Sequence, residues 1–398
     1  MAKLYNVLIE GCNFSFFLIV KMLPRNIFFI ICIICFRFLW FFSHFFRTFA
    51  NMNEEKKVLI GMTPEELSKE VELLGMPRFT AKQLTKWLYE KRVASIDEMT
   101  DISKANREKL AEKFCVGTMN HVLRQESVDG TVKYLFPVIT QKPEQSLKRV
   151  ETVFIPDKER ATLCVSSQVG CRMGCHFCQT GRQGFEGNLT AGDILNQILA
   201  LPERERLTNI VFMGQGEPMD NIDAVLRATE ILTAPWGFAW SPKRITVSSV
   251  GMPNLRRFLD ESLCHVAISM HAPLPEVRRK LMPAENGMGI EKVVEMLREY
   301  DFTHQRRLSF EYIVFKGVND SRRDMDKALE LLKGIECRVN LIRFHKIPDA
   351  DLEGVDQQHM EMLRDYLTAR GITTTIRASR GEDIFAACGM LYSKERGE

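Results

Sequence analysis

Cys171-Arg172-Met173-Gly174-Cys175-His176-Phe177-Cys178 places three thiols within eight residues, with no fourth cysteine following nearby. Closed structural metal sites usually take four protein ligands, so three suggest a cluster or metal with one position left open. An iron–sulfur cluster held by Cys171, Cys175 and Cys178 could offer its fourth iron to a small molecule, and S-adenosylmethionine is the obvious candidate. Zinc would recruit His176, but a histidine beside Cys175 is poorly spaced to close a tetrahedron with it. Unligated thiols this dense in a loop would be an oxidation liability.

Outward from this loop, strand and helix alternate. Strand-like runs occupy 161–166, 209–213, 244–249, 265–270, 308–315 and 338–344. Helical stretches fall at 191–201, 223–232, 255–261, 290–300 and 321–333, and a last helix at 357–370 precedes a final strand-like run at 373–378. Six βα units imply a parallel sheet curved into a partial barrel, an α/β fold. The unusual residues stand just after strands: the cysteine loop, Gly214-Gln215-Gly216-Glu217-Pro218, Ser248-Ser249-Val250-Gly251, Ser269-Met270-His271 and His345. In a parallel barrel these positions share one rim, where active sites assemble.

Upstream, 52–117 reads as a small helical domain. Thr63-Pro64-Glu65-Glu66 supplies a cap, a proline at the first helical position and acids in the first turn. Helices are expected over 80–89, with Leu84, Trp87 and Leu88 on one face, and over 99–114, capped near Ser103. Lys82, Lys86, Lys91 and Arg92 could meet phosphate or simply face solvent. Residues 118–160 change to a period of two, with Asp129-Gly130 as a hairpin turn and a second hairpin turning at 157–160.

Residues 1–51 differ from everything else. They hold 12 of the 26 phenylalanines, five basic residues and one acid, and without them the net charge passes from +3 to −1. The slightly basic balance of the whole chain therefore says little about nucleic acid. The apolar run from Ile27 is interrupted at Arg37, short of the roughly 20 apolar residues a spanning helix needs. No small-residue cleavage site follows. The expectation is that Met52, followed by Asn-Glu-Glu-Lys-Lys, is the natural start. Eleven scattered cysteines, including Cys12, Cys32 and Cys35 in the extension, fit a reducing compartment better than a disulfide framework.

Two cysteines outside the loop stand out. Cys164 lies in the first strand and Cys388 in Ala386-Ala387-Cys388-Gly389. Most free cysteines are small buried hydrophobes. That suits Cys164, whereas the small residues around Cys388 suggest an accessible tail. The glycines of 214–218 let backbone N–H groups approach a carboxylate, and Glu217 could accept an ammonium. A tight turn explains them equally well.

The motifs together resemble the RlmN family, radical S-adenosylmethionine RNA methyltransferases that act at adenine C2. The resemblance is carried by 164–171, the cysteine loop through Gly181, Phe212-Met213-Gly214-Gln215-Gly216-Glu217-Pro218-Met219-Asp220-Asn221, Ser269-Met270-His271-Ala272 and 380–389. It runs from about Leu59 almost to the end. It implies a radical S-adenosylmethionine core over 161–380, a tail over 381–398 and a [4Fe–4S] cluster on Cys171, Cys175 and Cys178. Gly216, Glu217, Ser248, Ser269, Met270 and His271 would bind S-adenosylmethionine, two per turnover. Cys388 would carry a methyl group, Cys164 would release the product through a disulfide, and Glu151 stands at the proton acceptor's position. From the alternation alone, Glu151 reads as solvent-facing. One departure falls at His345, where the family commonly has an asparagine that contacts S-adenosylmethionine.

The resemblance implies 23S ribosomal RNA and tRNA as substrates, an electron donor such as flavodoxin, and a cytoplasmic monomer without a membrane. Methylation at adenine C8, as in the related Cfr enzymes, shares the cysteine pattern. A membrane-tethered iron–sulfur RNA-binding or redox-sensing protein is the alternative from another class. Arg278, Arg279, Lys280, Arg322, Arg323, Arg377 and Arg380 are candidate RNA contacts.

Overall fold

The computed structural model describes residues 56–138, 148–303, 306–348 and 350–392. The extension over 1–51, with its three cysteines, lies outside the described residues, as do the last six residues of the tail. Among the described residues no helix is long and apolar enough to cross a membrane.

Strand β1 (Lys57–Val58) pairs in parallel with β2 (Phe114–Cys115), and three helices lie between them: α1 (Pro64–Leu73), α2 (Phe79–Thr85) and α3 (Lys104–Lys113). Helix α1 starts where the sequence signals it. Thr63 accepts the Glu66 N–H while the Glu66 carboxylate accepts the Thr63 N–H, which satisfies two otherwise orphaned donors. Helix α2 widens into a π turn over Lys86–Glu90 that buries Trp87, Leu88 and Tyr89. The expected third helix is shorter than 99–114. Met99 to Ile102 are turns, and α3 begins only after Ser103, whose hydroxyl accepts the Asn106 N–H. Lys91 lies over the Trp87 ring, and Arg92 reaches Glu205 at 3.5 Å.

One ten-stranded sheet follows. Its antiparallel arm is β3 (Leu123–Glu126), β4 (Val132–Pro137), β5 (Arg149–Asp157) and β6 (Arg160–Cys164). The hairpin between β3 and β4 turns at Asp129-Gly130. Gly130 takes a φ of 81°, and the Asp129 carboxylate accepts the Thr131 N–H at 2.9 Å. A side ribbon of β7 (Gln168–Gly170) and β8 (Phe185–Asn188) brackets α4 (Gln179–Gln183). The chain then alternates: α5 (Ala191–Leu199), β9 (Asn209–Phe212), α6 (Ile222–Thr233), β10 (Ile245–Ser249), α7 (Leu255–Glu261) and β11 (His265–Ser269). Helices α8 (Pro275–Leu281) and α9 (Ile290–Leu297) lead to β12 (Leu308–Val314). Helix α10 (Arg322–Leu332), β13 (Arg338–Arg343), α11 (Gln357–Thr368) and β14 (Thr373–Ile376) complete the run.

Strands β6, β9, β10, β11, β12, β13 and β14 are parallel in that spatial order, and β14 does not pair back to β6. The barrel is therefore partial and open along one side. Every residue of β12 is buried, as expected of a central parallel strand covered on both faces.

Candidate active site at the barrel rim

The cysteine loop is strung between β7 and α4. Gly170 and Gly174 take positive φ, and the Cys171 N–H donates to Gly184 O at 3.1 Å. At Gly170 a Cβ would fall 1.8 Å from that carbonyl oxygen, so only glycine allows the approach. The Cys178 N–H donates to Cys175 O, which folds the loop back on itself. Arg172 pins the outer side, 2.7 Å from Asp220 and stacked on Phe185.

All three thiols line one cavity. His176 is exposed and does not line it, and its N–H donates to Leu281 O instead. Among the described residues no three donor side chains gather closely enough for a single metal ion. Thiols spread around a cavity wall fit a larger body, which is what a cluster with an open corner requires. Burial pushes all three thiols upward, so cationic iron would have to draw off their protons.

Opposite the thiols, the same cavity is lined by Gly216, Glu217, Ser248, Ser269, His271 and Glu311. Both glycines of the 214–218 turn are dictated by packing. A Cβ at Gly214 would meet Ser166 Oγ and Val165 O at 2.7 Å, and one at Gly216 would meet Gln168 Cβ at 2.5 Å. Glu217 is buried and spans two loops, accepting the Met219 N–H at 3.0 Å and the Val250 N–H at 2.9 Å. Burial pushes its carboxyl up to about 7 against these hydrogen bonds. His271, at φ 53°, accepts the Ile313 N–H on Nδ1, so its neutral ring carries the proton on Nε2. Burial and then Arg278 push it down to about 3. A neutral donor, two hydroxyls, a carboxyl and exposed backbone suit a polar amino-acid and nucleoside ligand beside the thiols.

A second cavity adjoins the first along the open side of the barrel. Cys164, His345, Arg160 and Arg380 line it, and it shares Met213, Ile342, Arg377 and Cys388 with the first. Cys388 thus stands at the junction of the two. Cys164 lies across the second, and burial followed by the neighbouring Cys388 pushes its thiol up to about 12. Burial raises Cys388 as well, with Arg377 pulling the other way. Arg377 is held by Glu311 at 3.2 Å, and Glu311 also accepts from Asn340 and Ser309.

The tail around Cys388 is strapped down rather than loose. Gly381 N–H donates to Asp129 Oδ2 at 2.9 Å, and Ser127 Oγ donates to Asp383 at 2.5 Å. Gln179 N–H donates to Gly389 O at 2.7 Å, and Thr180 donates to Leu391 O at 2.8 Å. Below it lies Glu151, which the alternation alone had facing solvent. It is only 5% exposed because the tail packs on that face of β5, with Ala386 and Leu391 against neighbouring Val153. Its carboxylate meets Lys133 at 2.9 Å and accepts the Tyr392 N–H at 2.5 Å.

Glu151 lines neither cavity, and three further expected residues stand elsewhere. Arg278 is not an RNA contact: it is 0% exposed, ion-paired with Glu285, and donates to the carbonyls of Val250, Ser269 and Met270. It is the tie that holds three rim loops together. The Met270 side chain packs in the main core and does not line the cavity. His345 lines the second cavity rather than the first, with Nδ1 3.2 Å from Glu382. Lys133 and Glu311 went unnoticed in the sequence. Their signal is a charged residue at an otherwise apolar strand position.

Comparison with known proteins gives concordant results. Residues 165–332 match the model of the radical SAM superfamily, and residues 57–116 match that of the ribosomal RNA large subunit methyltransferase N-terminal domain. A probable dual-specificity RNA methyltransferase RlmN of Phocaeicola vulgatus is 59% identical over 351 residues, 87% of this chain and 99% of that protein. The Porphyromonas gingivalis protein of the same description is 56% identical, over 86% of this chain and 96% of that one. A radical SAM methyltransferase of known structure from Sphaerobacter thermophilus superposes with a TM-score of 0.79 at 36% identity, over 85% of this chain and 100% of that one.

Proposed function

The chain belongs to the RlmN family of radical S-adenosylmethionine RNA methyltransferases, and on that premise we propose that it methylates C2 of an adenine in 23S ribosomal RNA and of an adenine in tRNA. The observation that carries the reading is the placement of Cys388. It borders the cavity that would hold S-adenosylmethionine and the cavity that holds Cys164.

Cys171, Cys175 and Cys178 would hold a [4Fe–4S] cluster, and Gly216, Glu217, Ser248, Ser269 and His271 would hold S-adenosylmethionine beside it. When bound, this pair supplies one-electron cleavage of S-adenosylmethionine and hence a carbon radical, which an electron-poor, non-acidic C2 position demands. Cys388 accepts a methyl group on sulfur, giving up its thiol proton, and carries that carbon to the adenine through the second cavity. Glu151 accepts the proton lost from C2. Cys164 attacks the Cys388 sulfur. Cys164 gives up its thiol proton, and a Cys164–Cys388 disulfide forms. The carbon–sulfur bond breaks with its electron pair passing to the base's new carbon, that carbon takes up a proton to become methyl, and the methylated base leaves. An external two-electron reductant then restores both thiols. The reading extends to two molecules of S-adenosylmethionine per turnover, a flavodoxin-like electron donor, a monomer and a cytoplasmic setting.

Nucleoside mass spectrometry of ribosomal RNA and tRNA from cells lacking the gene, complemented with wild type or Cys388→Ala, tests this. Only wild type should restore 2-methyladenosine. An 8-methyl product would overturn the C2 assignment. S-adenosylmethionine cleavage without any RNA product from the wild type would overturn the transfer.

A further inference from the structure

Three arginines stand where the chemistry above has no use for them. Arg160 opens β6, Arg307 immediately precedes β12, and Arg338 opens β13. All three are exposed. Strand alternation gives each the same face as a residue of the active cavities: Arg160 with Cys164, Arg307 with Glu311, and Arg338 with Ile342. The register sets Arg338 opposite Ser309, two residues along β12 from Arg307. Arg160 lines the second cavity directly, with Nε donating to Asn209 at 3.0 Å. Four residues of strand, about 13 Å, separate this level from the rim.

The group has little acidic compensation, with Glu311 on the same face acting on Arg307 from a distance. No carboxylate forms an ion pair with Arg307 or Arg338 among the described residues. Arg377 and Arg380, above them, are matched by Glu311 and Asp157. Burial, then the fields of Arg338, Arg160 and Arg377, push the Arg307 guanidinium below its ordinary value, and Glu311 pulls the other way without reversing it. Like charges gathered with little counter-charge repel, so folding alone does not favour the arrangement. It also stands in a chain that, from residue 52 onward, carries a net charge of only −1. A bound polyanion would offset the repulsion. The open side of the barrel, which leads from this level to Cys388, is where one could lie.

We infer that Arg160, Arg307 and Arg338 form a phosphate track that holds the RNA strand flanking the target adenine at the strand-start end of the barrel, from β6 at the open side to β12 and β13. The inference rests on the RNA methyltransferase reading and adds a location to it: the strand runs down the barrel wall rather than only across the rim. Phosphate contacts fix register without reading sequence, so these residues position the RNA and leave the choice of adenine to the rim.

The test is the salt dependence of binding of an unmodified, fluorescently labelled tRNA transcript to the anaerobic holoenzyme. Each phosphate contact on a single strand contributes about 0.7 to the slope of log K against log salt, so Arg307→Gln/Arg338→Gln should reduce its magnitude by about 1.4. Arg307→Lys/Arg338→Lys should keep it. Methylation of Cys388, read by protein mass spectrometry, should match wild type in both. Arg256→Gln/Arg257→Gln removes the same charge from α7, where both arginines are paired with acids, and should leave the slope unchanged. An unchanged slope in the first variant overturns the track, and so does an equal fall in the α7 control. The single glutamine variants, each expected to cost about 0.7, keep the test decisive if the double variant unfolds. Wild-type holoenzyme without salt-dependent tRNA binding would overturn the RNA reading itself.

Discussion

Replacing Lys133 with methionine takes a buried cation away from the Glu151 carboxylate beneath the tail. Lys133 and Glu151 approach to 2.9 Å with side chains 10% and 7% exposed, so water contributes little to either charge. Removing one partner of a buried pair costs about 3–5 kcal/mol, because the other charge loses its closest compensation. The compact unit runs from Lys57 to Glu398. At about 2.1 cal/mol/K per residue its unfolding entropy near the midpoint is about 0.7 kcal/mol/K, so the loss corresponds to about 4–7 °C in Tm. Replacing both partners, Lys133→Met with Glu151→Leu, removes the charge as well. It should recover most of the loss, leaving about 1 kcal/mol for the Tyr392 N–H that no longer finds a carboxylate. Anaerobic thermal unfolding of the three proteins at one scan rate reads this directly. A shift below about 1 °C for Lys133→Met would place the pair among exposed ion pairs worth 0–1 kcal/mol and refute the reasoning. A double variant no more stable than the single one would refute it too.

Gly381→Ala puts a Cβ 2.8 Å from Ala386 Cβ and 2.9 Å from Thr131 Cγ2, at a φ of 64°. It should cost about 1–3 kcal/mol and speed iodoacetamide labelling of Cys388, read by mass spectrometry. Arg278→Met should lower stability by at least about 3 kcal/mol by stranding Glu285, whereas Arg279→Ala on the exposed side of α8 should stay within about 0.5 kcal/mol in urea unfolding. Burial, then Arg307, Lys243 and Arg306, push His265 down to about 4. The unfolded chain binds that proton below about 6.5 and the folded chain does not, so stability is complete above this window and falls as pH drops from 6.5 to 4. His265→Gln should flatten that fall, measured as urea midpoints at pH 7 and pH 4.5.

The barrel was legible because its strands are short apolar runs between amphipathic helices, and each expected strand appears within about two residues of its place. The three thiols of the first cavity were legible because they share one loop. What the sequence hid depends on pairs brought together by the sheet. Lys133 and Glu151 belong to adjacent antiparallel strands, and Glu311 and Arg377 are 66 positions apart. Glu151 reads as solvent-facing by alternation, since nothing local reveals that a tail from the far end of the chain will cover that face. Arg278 was misjudged for a similar reason. In Arg278-Arg279-Lys280 the three cations look equivalent, yet the turn of α8 buries the first among carbonyls and leaves the others outside. The helical expectation over 99–103 failed because the Ile96–Glu98 turn ends at Met99, and Ser103 caps a new helix instead of continuing an old one.

The straps on the tail join residues 211 to 256 positions apart in the chain. Their partners in the β3–β4 turn, on β5 and on α4 are made early in synthesis and Cys388 almost last. Chains fold from the N-terminal side as they emerge, so a barrel with its cysteine loop formed can exist before Cys388 has left the ribosome. On the proposed reading, competence to generate a radical therefore precedes competence to deliver a methyl group during the birth of each molecule. A message cut short near its end would yield a protein with the first ability and without the second.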